Sequence, residues 1–82
     1  MIMYLYILRC VDGSHYVERT ESLERMLLAH NSGRVEATRS LLPVELKYWE
    51  RCRNGDKADN RLQTIRGMSR LAREEMIDEF WS

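Results

Sequence analysis

The sequence has little cysteine, and the two residues present, Cys10 and Cys52, form no Cys-x-x-Cys pair. No histidine stands at metal-ligand spacing from either cysteine, so a zinc site is not expected. Both cysteines fall in apolar segments with the composition of strands. We therefore expect two buried free thiols rather than a disulfide.

The sequence also lacks a run of about 20 apolar residues, the length with which a helix spans a bilayer. Residues 1–8 are mostly apolar, but they lack the basic start and the small-residue cleavage site of a signal peptide. We expect no membrane contact and a location in the cytoplasm.

Charge of one sign is not in excess, because 13 basic side chains balance 13 acidic ones. The whole chain therefore has no overall attraction to nucleic acid. Residues 47–73, however, hold eight basic and three acidic groups, a balance of +5, whereas residues 74–82 hold four acidic groups. A basic segment is compatible with phosphate binding, although a solvated helix surface has the same pattern. The candidate nucleic-acid contacts are Arg51, Arg53, Lys57, Arg61, Arg66 and Arg70.

Three segments have the composition of strands. Residues 3–10 are nearly all apolar or aromatic, which is typical of a strand covered on both faces. Asp12-Gly13-Ser14 favours a tight turn, and residues 15–19 complete a hairpin. Residues 44–52 alternate as a half-exposed strand does. The alternation predicts one face made of Val44, Leu46, Tyr48 and Cys52.

The remaining segments predict three helices. Ser22 is a candidate N-cap for the first, which ends at Asn31-Ser32-Gly33. Asp56 is a candidate cap for a second helix that stops at Gly67, and Ser69 caps a third. The apolar face of the first helix consists of Leu23, Met26, Leu27 and His30. The buried stripe of the third consists of Ala72, Met76, Ile77 and Phe80.

The predicted element order is β-β-α-β-α-α over one domain, residues 1–82. An antiparallel three-stranded sheet with helices packed on it buries these faces, which predicts an α/β (α+β) fold.

Several blocks stand in a fixed order along the chain: residues 6–14, Tyr16-Val17-Glu18, Leu23-Glu24-Arg25, His30-Asn31-Ser32-Gly33, Thr38-Arg39-Ser40 and Pro43-Val44-Glu45-Leu46. In that order they resemble the small single-domain members of the GIY-YIG nuclease superfamily. The resemblance runs from Tyr4 to about Ile77 and covers nearly the whole chain.

The resemblance implies a metal-dependent phosphodiesterase. Its site has two hairpin tyrosines, an arginine and often a histidine on the first helix, and a metal-binding glutamate on a later helix. In such a site the metal polarises the phosphate, a tyrosine positions or deprotonates water, and the arginine neutralises developing charge. By matching position, the retained catalytic residues are Tyr6, Tyr16 and His30.

Three matching positions are altered. The motif glycine falls on Glu18, the arginine on Met26 and the metal-binding glutamate on Leu62. Loss of one charge-stabilising group commonly costs about 10²–10³ in rate, and leucine cannot coordinate a hard cation. If the alignment of the later helix is shifted by one turn, the metal-binding position falls on Asp59 or Arg66 instead of Leu62. We expect no resident metal, and Mg²⁺ or Mn²⁺ as the cofactor of an active enzyme.

The expected function is therefore that of a degenerate domain that binds DNA or RNA with little or no cleavage. One alternative is an active metal-dependent DNA endonuclease with a relocated site that uses Tyr6, Tyr16, His30 and Glu18. Another is a protein-interaction domain or an engineered structural scaffold. Leu41 and Leu42, if exposed, would offer an apolar contact to a protein partner or to a second copy.

Overall fold

A computed structural model describes residues 2–82 of the chain. The strands are β1 (Met3–Arg9), β2 (His15–Thr20) and β3 (Glu45–Cys52). The helices are α1 (Leu23–Asn31), α2 (Gly55–Arg66) and α3 (Arg70–Trp81), with one 3₁₀ turn at Arg39–Leu41. The sheet is antiparallel in the order β2-β1-β3. The predicted α+β fold and element order are confirmed.

The β1–β2 hairpin turns where the sequence predicts it. Gly13 has a φ of 86°, which a side chain would disfavour. The carboxylate of Asp12 accepts hydrogen bonds from the backbone N–H of Ser14 at 3.0 Å and from its hydroxyl at 2.6 Å. These bonds fix the tight connection that places β2 beside β1.

Alternating residues of β1 bury two separate apolar clusters on opposite faces of the sheet. Leu5 and Ile7 belong to the first cluster, against α2 and α3, together with Ile65 and Ile77. Tyr6 and Leu8 belong to the second cluster, against α1. Both strand faces are covered, as the nearly continuous apolar run of β1 predicts. Cys52 and Cys10 are buried free thiols in the first and second clusters respectively.

One face of β3 was predicted wrongly because the strand contains a bulge. Ile7 pairs with Tyr48 but Leu8 pairs with Leu46, which leaves Lys47 as the extra residue. A bulge shifts the alternation by one position. Leu46 therefore packs against the second cluster and Tyr48 against the first, not on a shared face.

The helix caps agree with the sequence at two of three positions. The hydroxyl of Ser22 accepts from the backbone N–H of Arg25 at 3.2 Å, and that of Ser69 accepts from Ala72 at 3.1 Å. The cap of α2 is Asn54, whose side-chain oxygen accepts from the N–H of Lys57 at 2.9 Å. Asp56 lies instead in the first turn, where its charge still favours the helix dipole.

In each outer strand of the sheet, one backbone carbonyl accepts a hydrogen bond from a side chain. Arg66 donates from Nε and Nη2 to the carbonyl of Val17 in β2, at 3.0 and 2.8 Å. Trp81 donates from Nε1 to the carbonyl of Lys47 in β3, at 2.5 Å. One side chain of α2 and one of α3 thus contact the two outer strands of the sheet.

No helix in the described part of the chain combines the length and the apolarity needed to cross a bilayer.

Candidate functional site

The retained tyrosines and the histidine meet in one place on the α1 face of the sheet. Tyr6 in β1 and Tyr16 in β2 point to the same face, with ring centroids 6.4 Å apart. His30, in the last turn of α1, lies 5.1 Å from the ring of Tyr16 and 6.3 Å from that of Tyr6. We call Tyr6, Tyr16, His30 and Thr38 the tyrosine site.

Hydrogen bonds link the inner members of the tyrosine site. The hydroxyl of Tyr6 lies 3.4 Å from Nε2 of His30, and Nδ1 of His30 lies 2.7 Å from the hydroxyl of Thr38. A neutral imidazole has one N–H, so it donates to one hydroxyl and accepts from the other. Tyr6 and His30 are each 2% exposed and Thr38 is 1% exposed. Tyr6, His30 and Thr38 are therefore satisfied by one another and closed to solvent, whereas Tyr16 is half buried.

Burial also sets the protonation of these groups. It raises the pKa of Tyr6 far above its ordinary value of 10.0; Tyr16 and Glu18 raise it further, while Arg66 opposes the rise. Burial likewise raises the pKa of Tyr16 and lowers that of His30. Tyr6 is held as a neutral phenol, able to exchange hydrogen bonds but poorly suited to removing a proton from water.

Met26 and Leu62 occupy different parts of the core. Met26 is 8% exposed and lies in the second cluster with Tyr6, whereas Leu62 is 7% exposed and lies in the first cluster with Leu5 and Ile7. The two clusters are on opposite faces of the sheet. The position matched to the family's arginine and the position matched to its metal-binding glutamate therefore lie on opposite faces of the sheet.

Glu18 is the carboxylate nearest the tyrosine site, since it pairs with Tyr6 in the β1–β2 register. One of its oxygens accepts from Arg66 at 2.9 Å and the other from the backbone N–H of Arg19 at 3.1 Å. Asp59 is exposed and pairs with the guanidinium of Arg19 at 3.2 Å. Glu18 and Asp59, the two acidic residues that the sequence suggested for an altered site, are thus both paired with arginines.

The donor set does not fit a resident divalent metal. Over residues 2–82, no group of three or more histidine, cysteine or acidic side chains is placed to hold a metal ion. Mg²⁺ and Mn²⁺ take several oxygen ligands, and the matching position on α2 carries the apolar, buried Leu62.

The six predicted nucleic-acid contacts are divided among three places. Four of them surround a depression of about 410 Å³ between the end of β3 and the start of α2. We call it the basic depression, and it is lined by Arg51, Arg53, Lys57 and Arg61 with Glu50 and Cys52. Arg66 lies at the edge of β2, and the guanidinium of Arg70 lies against Gly13 of the hairpin turn. The six residues therefore do not form one continuous surface, and contact of any of them with nucleic acid stays a prediction.

The cations of the basic depression are mostly available to a ligand. Arg61 donates from Nε to the carboxylate of Glu50 at 2.8 Å. Within residues 2–82, no salt bridge includes Arg51, Arg53 or Lys57, and all three side chains are exposed. The depression therefore presents positive charge that solvent and an anion can reach.

A second polar network, which the sequence did not indicate, joins the hairpin to α3. Glu74 accepts from Arg9 at 2.5 and 3.2 Å and lies 2.6 Å from Nε2 of His15. Arg73 donates to Nδ1 of His15 at 2.9 Å, so a neutral His15 carries its proton on Nε2, facing Glu74. The guanidinium of Arg9 lowers the pKa of Glu74. The hydrogen-bonded pairs of this network are 58 to 65 residues apart in the sequence, a separation that no local sequence signal could bridge.

Leu41 and Leu42 are half buried, because both pack against the second cluster. The open apolar patch that the sequence suggested is thus only partly exposed, and a partner or homodimer contact there stays a prediction.

Comparison with known proteins decides the family. A family model described as the GIY-YIG catalytic domain matches residues 2–75. The chain belongs to the GIY-YIG family.

Similar GIY-YIG chains include UPF0213 proteins of bacteria. The one from Streptococcus pneumoniae is 35% identical over 77 residues, covering 93% of this chain and 78% of that protein. The one from Clostridium perfringens is 37% identical over 75 residues, covering 90% and 81%. The solution NMR structure of a UPF0213 protein from Bacillus halodurans aligns with a TM-score of 0.62 and 29% identity, over 95% of this chain and 84% of that one.

Tyr6, Tyr16 and His30, which the sequence named as candidates, lie together in the fold with Thr38, which it did not name as a candidate. Thr38 lies in the loop after α1, where periodicity gives no information, and its only signal was its place in the Thr38-Arg39-Ser40 block. Its hydrogen bond to Nδ1 of His30 makes it the inner end of the site.

Proposed function

We propose that this GIY-YIG domain binds nucleic acid through the basic depression and has little or no nuclease activity. The observation that carries the proposal is the cluster of Arg51, Arg53 and Lys57, exposed and outside any salt bridge within residues 2–82. Lysine and arginine contacts to phosphates supply most of the affinity in sequence-independent binding.

The tyrosine site supports the second half of the proposal. Cleavage of a phosphodiester needs a group that stabilises charge growing on the phosphoryl oxygens. Met26 cannot supply it, and within residues 2–82 no group of three or more histidine, cysteine or acidic side chains is placed to hold a metal that would do the same work. Tyr6, with its raised pKa and 2% exposure, is a poor base and hard for a phosphate to reach.

One observation favours the alternative of a relocated nuclease site. The guanidinium of Arg66 lies beside Tyr16, and the two line a depression of about 250 Å³ with Val17, His15 and Arg73. Arg66 could replace the cation missing at Met26, although it is already bound to Glu18. This alternative requires added Mg²⁺ or Mn²⁺ and predicts cleavage that is lost in Tyr6→Phe.

Binding of a labelled oligonucleotide, followed by fluorescence anisotropy over a series of salt concentrations, tests the proposal. The variant Arg51→Glu, Arg53→Glu, Lys57→Glu should bind at least about tenfold more weakly and show a smaller salt slope, because three phosphate contacts are lost. A matched control reverses three exposed arginines on the α1 side of the sheet: Arg25, Arg34 and Arg39.

Equal losses in both triple variants would indicate general charge attraction and contradict a localised site. Wild-type affinity that is weak and unaffected by salt would contradict nucleic-acid binding itself. A parallel incubation with Mg²⁺ and then Mn²⁺ should show no cleavage; metal-dependent cleavage abolished by Tyr6→Phe would replace the proposal with the relocated nuclease.

A further inference from the structure

Four aromatic side chains form a cluster where the end of α3 crosses β3. The ring of Phe80 lies 5.0 Å from that of Tyr48, 4.8 Å from that of Trp49 and 5.3 Å from that of Trp81. Trp81 is 57% exposed, and the other three rings are half buried. We call these residues the aromatic cluster.

The aromatic cluster borders a depression of about 320 Å³, which we call the aromatic depression and which adjoins the basic depression. Its lining includes Tyr48, Phe80, Met76 and Glu79, together with Arg61, which also lines the basic depression. Glu50 joins the two, since one of its oxygens accepts from the hydroxyl of Tyr48 at 3.3 Å and from Nε of Arg61 at 2.8 Å. Cations that suit phosphates thus stand next to rings that suit a flat apolar ligand.

The charges on the two sides favour one orientation of a nucleic-acid strand. Phosphates are attracted to Arg51, Arg53 and Lys57, whereas the carboxylate of Glu79 repels them from the aromatic side. A base is uncharged, stacks on aromatic rings and can donate from its amino group to a carboxylate. These charges therefore favour a nucleotide whose base lies in the aromatic depression and whose phosphate lies among the cations.

We propose that the aromatic depression binds an unpaired base, so that the domain prefers single-stranded over duplex nucleic acid. The inference rests on the proposed binding at the basic depression and adds the class of strand. In a duplex each base is stacked and paired, and reaching Phe80 would require pulling it out of the helix. In a single strand the base faces are free, and DNA and RNA offer the same chemistry.

Anisotropy and intrinsic tryptophan fluorescence test the inference with four probes of equal phosphate number. These are a single-stranded DNA, the RNA of the same sequence, a hairpin duplex and an abasic single strand. Trp49 and Trp81 are the only tryptophans of the chain, so quenching on binding reports on the aromatic cluster. We expect one or both of the base-containing single strands to bind about fivefold or more tightly than the duplex and the abasic strand, and to quench the tryptophans.

Three variants locate the effect. Phe80→Leu keeps an apolar side chain but should remove the preference for base-containing single strands. Phe80→Trp keeps an aromatic ring and should retain that preference. Leu71→Ala is the control, because Leu71 is 70% exposed on the same helix and lines a different depression with Arg70 and Glu74. If Phe80→Leu unfolds, the comparison of wild type on base-containing and abasic strands still decides.

The outcomes separate this inference from the function on which it rests. Equal, salt-dependent binding of all four probes would overturn the base site while leaving the basic depression intact. No binding of any probe would overturn both. A preference for single strands that survives Phe80→Leu with no tryptophan quenching would place the selectivity elsewhere and refute the aromatic site.

Discussion

The tyrosine site and the basic depression are both built on strands of one sheet, yet they differ in what a ligand can reach. Tyr6 and His30 are each 2% exposed and bonded to one another and to Thr38. Arg51, Arg53 and Lys57 are exposed, and no salt bridge within residues 2–82 includes them. Tyr6 and His30 are thus inaccessible to a ligand, whereas the three cations are accessible and supply charge without acid–base chemistry near neutral pH.

Under the proposed function, this difference explains how the GIY-YIG fold is kept without nuclease activity. The tyrosines and the histidine pack α1 onto β1 and β2, so removing them would cost stability whether or not they react. Arg51, Arg53 and Lys57 are exposed and do not pack elements together, and surface charges of this type contribute little to the stability of the fold. The comparison therefore predicts large stability effects on the core side and large binding effects on the depression side.

The largest expected effect is that of placing a glutamate at position 62, which the resemblance matches to the metal-binding residue of the family. Leu62→Glu places a carboxylate in the buried cluster of Leu5, Ile7 and Val17, so the free energy of unfolding should fall by about 3–5 kcal/mol near neutral pH. The loss should shrink in acid, where the buried carboxyl protonates. Urea denaturation measures it, with Leu62→Met as the control of similar volume. A variant as stable as wild type would break the comparison, because it would mean that this position opens to water.

The next effect in size concerns His30. His30→Ala removes a buried ring and leaves the hydroxyls of Tyr6 and Thr38 without that partner, so we expect a loss of about 2–4 kcal/mol. Burial lowers the pKa of His30, so below about pH 6.5, its ordinary value, the unfolded chain binds a proton that the folded chain does not. Wild-type stability should therefore fall as the pH drops through this range, and the His30→Gln chain should show a shallower fall. Identical pH profiles would mean that the imidazole is reached by solvent.

The smallest effect sharpens the same point at alkaline pH. Tyr6→Phe loses only a 3.4 Å hydrogen bond, so the expected cost is about 1 kcal/mol or less. Because the pKa of Tyr6 is raised, the unfolded chain releases a proton near pH 10 while the folded chain keeps it, and stability falls as the pH rises above that value. The decline should be shallower in Tyr6→Phe but not absent, since the pKa values of Tyr16 and Tyr48 are raised as well. Thermal unfolding over a pH series, with absorbance titration of the phenols, provides the measurement.

Local sequence signals predicted most of the fold. The spacing of Leu23, Met26, Leu27 and His30 identified the inner face of α1, on which Met26 and His30 are buried. Ser22 and Ser69 cap their helices, and Gly33 has the left-handed φ of 76° that favours glycine after a helix. Each of these depends on residues at most a few positions apart, which is the range a sequence pattern can report.

The failures depended on distant partners. The bulge at Lys47 follows from pairing β3 with β1 and cannot be read from β3 alone, so Tyr48 and Leu46 were assigned to one face. Either Asn54 or Asp56 could cap α2, and the approach of the chain from β3 decides between them. The six candidate nucleic-acid contacts stay a prediction; their division between the basic depression and the positions of Arg66 and Arg70 depends on the turn between β3 and α2, which no local pattern reports.

The side chains on the two outer strands also bear on how copies of this domain behave when crowded. An exposed strand edge with free backbone groups is a template on which another chain can add a strand, the first step toward fibrils. Here the carbonyl of Val17 accepts from the guanidinium of Arg66, and that of Lys47 accepts from the indole of Trp81. An incoming strand would have to displace one of these two side chains. The same two residues therefore oppose aggregation, and the bulge at Lys47 makes the β3 edge still less regular as a template.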